Sequence, residues 1–125
     1  MAFGSAAGPA DSAVRPRRRV VYRVVAGPRA SCEDFLSDHE AGRRYARALT
    51  PAVMHRREGF SVWLTFEGAA RIARQYGQYF GYYVAEIELP AGARISPFPD
   101  SELHATAYGD PDDFARSVVS VVLAR

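Results

Sequence analysis

The stretch GFSVWLTFEGAARIARQYGQYFGYYVAEIELP, residues 59–90, constrains the fold more than any other part of the chain. Phe60 to Leu64 is β-branched and aromatic, which suits a strand. Thr65 is placed to cap a following helix, with Glu67 in its acid-favouring first turn. Phe66, Ala69, Ala70, Ala73 and Tyr76 recur at helical spacing and predict one apolar stripe. Gly77 is placed to stop the helix. Tyr82 to Leu89 then predicts a second strand, ended by Pro90.

At 125 residues the chain is one domain by size. It has no run of roughly 18 apolar residues, so a soluble protein with no membrane partner is expected. The opening MAFGSAAGPADSA lacks a charged segment ahead of an apolar one and does not read as a secretory signal. The single cysteine, Cys32, excludes an internal disulfide and fits a reducing, cytoplasmic compartment. Glu33 and Asp34 beside it oppose a thiolate, which argues against a nucleophile there.

Charge is unevenly placed. The chain carries +2, but Arg15, Arg17, Arg18 and Arg19 against Asp11 give residues 1–19 a net +3 and leave residues 20–125 at −1. Residues 1–19 therefore read as a disordered basic leader ahead of a single α+β domain over residues 20–125. The leader is either a solvated tail or an arm that tracks phosphates. Nucleic acid is not an expected partner except through Arg15 to Arg19, because the domain has no basic excess.

Val20 to Val25 (VVYRVV) predicts a first strand, apolar on both faces apart from Arg23 and therefore central. An arginine there is costly unless paired or facing a cleft. Ser31 to Ala48 is helical in tendency, with Ser31 and Asp34 as a capping box and a break at Gly42. Pro51 to Arg57 predicts a short helix, and His39 and His55 read as surface histidines. Ala91 to Pro99 is expected as a loop. Glu102 to Tyr108 alternates as a half-buried strand with Glu102, His104, Thr106 and Tyr108 on its polar face. Asp110 and Pro111 open a short helix, and Val118 to Leu123 is the last strand. Strands and helices without strict alternation predict an α+β fold: a small, twisted, mixed or antiparallel sheet flanked by helices.

No glycine-rich phosphate loop, nucleophile elbow or paired-cysteine zinc spacing occurs. The polar strand residues are dispersed, which suggests a cleft where strands meet. Arg23 can hold an anion bidentately, and Ser61 can orient a hydroxyl or amide. Glu102 and His104 can stabilise positive charge or move a proton. The structural alternative pairs Arg23 with Glu86 or Glu88 and leaves Ser61 and His104 satisfied near the surface.

The layout resembles the ADP-ribosyltransferase fold in miniature. A first strand carries Val21-Tyr22-Arg23, and a later strand carries Ser61 and runs through Thr65 into a helix. A further strand ends in Leu89-Pro90, and a late strand begins at Glu102. Gly59-Phe60-Ser61, His104 and Gly109-Asp110-Pro111 also resemble a group of small bacterial proteins with a Gly-x-Ser strand and a late His strand. The resemblance implies an ADP-ribosyltransferase-like enzyme that cleaves the nicotinamide–ribose bond of NAD, acting as a toxin or modifying a macromolecular acceptor. It places NAD, as substrate, on Arg23, Ser61 and Thr65. Catalysis falls to Glu102 with His104, and no metal is implied. The chain departs from the family in having no Ser-Thr-Ser and in reading Glu-Leu-His where the family has Glu-x-Glu; Glu86-Ile87-Glu88 has that spacing one strand earlier. The alternative is a non-catalytic binding or interaction domain on the same sheet.

Overall fold

The computed structural model describes residues 19–37, 58–97 and 103–124. Their elements are β1 (Val20–Val25), a 3-10 turn (Cys32–Phe35), β2 (Phe60–Trp63), α1 (Phe66–Phe80), β3 (Tyr83–Glu88), β4 (Arg94–Pro97), β5 (His104–Tyr108), α2 (Pro111–Arg116) and β6 (Val118–Leu123). The strands form one sheet in the order β4-β5-β2-β1-β3-β6. Every neighbouring pair is antiparallel, so the sheet is antiparallel rather than mixed.

β1 is central, as its two apolar faces require. Register sorts the side chains. Tyr22 stands opposite Trp63 and Glu86, while Arg23 stands opposite Ala85 on the other face. One face is an aromatic core in which Phe35, Phe60 and Phe114 meet from three separate segments. Phe60 and Phe114 are edge-to-face at 4.8 Å, and Phe35 lies 5.7 and 5.9 Å from the two. Val21, Val25, Val62, Ala85, Ile87, Ala105 and Ala107 complete it. The 3-10 turn and α2 cover this phenylalanine face.

α1 covers the other face through Ala69, Ala70 and Ala73, packed on Val24, Val84 and Ala124. Small residues let the helix lie close to the strands. The ends of the expected stripe, Phe66 and Tyr76, are partly exposed instead. Thr65 caps the helix as expected, its Oγ1 accepting from Gly68 N at 3.0 Å.

Gly77 does not stop the helix. α1 continues to Phe80 across a kink at Tyr76, and Gly81 ends it at φ 111°, with its N–H on the Gly77 carbonyl. A Cβ at Gly81 would stand 2.1 Å from the Val25 carbonyl oxygen, so only glycine fits. Gly77 is small for a different reason: the Tyr82 ring occupies the space of its missing side chain.

Three further readings change. Residues 94–97, expected as loop, form edge strand β4. β5 is buried on both faces from Ala105 to Tyr108, with Ala105 and Ala107 in the phenylalanine core. The helical tendency after Ser31 yields a 3-10 turn within the described residues, held by Asp34 Oδ2 accepting from Ser31 N at 2.8 Å. The rest of that segment, the helix expected over 51–57, His39, His55 and leader residues 1–18 lie outside the described residues. Asp110 caps α2 by accepting from Asp112 N at 2.9 Å, with Pro111 in the first turn.

Candidate functional site

Five residues were expected to carry function. Four lie in the described residues, and Glu102, directly ahead of Leu103 and β5, lies outside them. The strands that carry the expected residues are neighbours: β5, β2 and β1 stand side by side.

Ser61 pairs with Thr106 and Trp63 with His104 in the β2–β5 register. All four side chains therefore share one face of the sheet, the face that α1 covers further along. The Trp63 and His104 rings stack at 4.7 Å and 7° from parallel. Thr65 follows directly, where the chain turns into α1, and Gly68 of that first turn lies against Trp63. A Cβ at Gly68 would come within 3.1 Å of Trp63 Cδ1. Thr106 is buried, while Ser61, Trp63 and His104 are half-buried. The result is a compact tile of two hydroxyls, an indole and an imidazole beside the N-terminus of α1.

Burial lowers the His104 pKa from its ordinary 6.5, because a charged imidazole loses hydration there. Near neutral pH the ring is uncharged. In that form one ring nitrogen donates and the other accepts, the state a proton acceptor needs.

Arg23 is not part of this tile. Register puts it on the phenylalanine face, opposite to Ser61, Trp63 and His104. The residue is 8% exposed. Its Nε donates to the Asp34 carbonyl at 2.5 Å and one Nη to the Ser61 carbonyl at 2.6 Å, with the guanidinium 4.7 Å over the Phe60 ring. These contacts tie the 3-10 turn to β2. Glu86 is not its ion-pair partner: it lies on the other face beside Tyr22, opposite it in register. Burial, the Glu86 charge and a hydrogen bond to Glu86 together raise the Tyr22 pKa.

Two members of the tile are not among the five: Trp63, which mid-strand reads as core or as the wall of a cleft, and Thr106, which reads as one of several dispersed polar strand residues. Their signal was positional. Each stands directly across the β2–β5 ladder from an expected site residue, which only the pairing register reveals. Among the described residues no group of three His, Cys, Asp or Glu is placed to hold a metal ion. A shallow pocket of about 250 Å³ lies elsewhere, between Pro90–Ala93 and Gly109–Phe114, and contains none of the expected site residues.

Family models, curated proteins and solved structures return no match to this chain. No helix among the described residues is long and apolar enough to cross a membrane.

Proposed function

We propose that the chain is an ADP-ribosyltransferase-like enzyme acting on NAD, with its working surface on the β2–β5 face. One observation carries the reading: the arginine, serine and late polar strands of the resemblance are three consecutive neighbours in the sheet. That adjacency brings Ser61 and His104 together on one face, while Arg23 stands on the opposite face of the neighbouring strand. Ser61 and Thr65 supply hydroxyls for ribose or amide groups, and the Trp63–His104 stack walls the site. Glu102, two residues ahead of His104 in the chain, is assigned the carboxylate role. As the glycosidic bond breaks, its electron pair leaves with nicotinamide and positive charge develops on the ribose. A nearby carboxylate stabilises that charge. Neutral His104 takes the proton of the attacking acceptor, either water or a macromolecular hydroxyl or amine. Arg23 serves this reading as the strut that fixes β2 against β1, not as a phosphate grip. NAD is the substrate, and no metal enters the scheme.

A second reading is favoured by Arg23 itself. Its guanidinium is buried and committed to backbone carbonyls, which suits a binding or interaction domain that keeps the sheet without the chemistry.

Incubation of the protein with NAD, alone and with cell extract or RNA as acceptor, separates the two. Nicotinamide release followed by chromatography is expected, with Glu102→Gln and His104→Ala each lowering the rate by roughly 10²-fold or more. Effects of the pair that are less than additive would mark one working unit. No release above background leaves the binding-domain reading. Release untouched by either substitution moves the site, with Glu86 and Glu88 the next carboxylates to test.

A further inference from the structure

The two edges of the sheet are built differently. β4 is short and carries Arg94 and Pro97, a charge and a missing N–H that discourage another strand from adding. β6 has neither safeguard. VVSVVL is six residues without charge, proline or glycine, and β3 is its one neighbour among the described strands. Val119, Val122 and Leu123 are 56%, 46% and 48% exposed. The apolar surface continues at the end of the strand, where Ala124 N donates to the Tyr82 carbonyl and so sets the exposed Tyr82 beside it.

The backbone gives this edge a defined phase. Ala124 turns its N–H toward β3, so strand alternation turns the N–H and C=O of Val121 and Leu123 outward. A register shift between Glu86 and Ile87 leaves Val119 as the extra residue and confines the regular stretch to Ser120–Leu123. Water meets these outward groups in the single chain, and in this phase they form a ready template for an added strand.

We infer that β6 pairs antiparallel with β6 of a second copy, about a two-fold axis through Val122, joining two sheets into one. Such an axis sets Val121 against the mate's Leu123 on both sides, so their outward groups bond to each other. It also sets Val122 against the mate's Val122. The central facing pairs are apolar, Ser120 falls opposite the mate's Ala124, no facing pair carries a charge, and the strand is complementary to itself. The β4 edge of a copy is a poor substitute, since it would bring Arg94 and Pro97 onto an uncharged β-branched strand. The contact is therefore isologous and closes at two copies instead of growing into a fibre.

Sedimentation of the full chain at concentrations in the tens of micromolar tests this. The expected mass is twice the 13.8 kDa chain. Val122→Lys, which opposes two ammonium groups across the axis, is expected to sediment as a monomer with an unchanged circular dichroism spectrum. Should that variant fail to fold, Val122→Cys in a Cys32→Ser background decides. Facing residues at a non-hydrogen-bonded antiparallel pair have Cα atoms about 4.5 Å apart, within disulfide reach. Mild oxidation is then expected to give a cross-linked dimer, and Val119→Cys is expected to cross-link far more slowly. A wild-type monomer, a dimer that survives Val122→Lys, larger open-ended assemblies, or no faster cross-linking at position 122 would each overturn the inference.

Discussion

Arg23 donates to two carbonyl oxygens that its removal would leave without those bonds inside the phenylalanine face. Arg23→Ala is expected to cost about 2–4 kcal/mol in urea unfolding, because lost hydrogen bonds and lost stem packing add. Arg23→Lys should recover only part of this, since an ammonium cannot reproduce the planar fork. A cost under about 0.5 kcal/mol would show that the strut carries no weight. His104 makes a prediction of opposite character. Its folded pKa lies below the unfolded 6.5, so the unfolded chain binds the extra proton first as pH falls. The stability that follows from a neutral His104 is complete above 6.5 and is lost as pH drops from there through the folded value. His104→Gln should flatten that part of the curve, and a variant with the wild-type slope would refute it. The residue types were legible in the sequence: an arginine inside an apolar strand and a histidine among small residues both stood out. Their faces were not, because alternation within one strand says nothing about register between strands. Arg23 and Ser61 sit on adjacent strands and still point to opposite sides.

At the scale of elements, the strongly patterned segments came out with their expected limits. Val20–Val25 and Val118–Leu123 match residue for residue, because a continuous β-branched run bounded by turn residues leaves little choice. β4 was hidden because Arg94–Pro97 is short, exposed and contains proline, and it becomes a strand only by pairing with β5. The end of α1 was misplaced because two glycines compete. Gly77 interrupts the pattern first, but it is needed to admit Tyr82, whereas Gly81 has the backbone only glycine tolerates. The two should therefore respond differently to alanine. Gly81→Ala meets the Val25 backbone in a glycine-only conformation and is expected to cost at least about 2 kcal/mol. Gly77→Ala meets one partly exposed tyrosine ring that can swing outward, and it gains helix propensity, so its loss is expected to be smaller. Equal losses in thermal unfolding would contradict this division.

For the whole molecule, the separation of charge from fold decides what the arginine-rich leader can do. The sheet begins at Arg19, whose carbonyl accepts from Leu89 N at 2.8 Å. A deletion that removes residues 1–18 therefore leaves every backbone bond of the described sheet in place. It also removes Arg15, Arg17 and Arg18 against Asp11, a net +2, and takes the chain from +2 to neutral. Folding stability and polyanion binding should accordingly part. The thermal midpoint is expected to move by less than about 2 °C, since a segment of small and charged residues has little apolar mass to bury. Retention on heparin, by contrast, is expected to fall to background and to have been salt-sensitive in the full chain. A midpoint that drops by several degrees would show that the leader packs against the sheet. Undiminished heparin retention would place the basic surface on the domain, where the net charge of residues 19–125 does not provide for it.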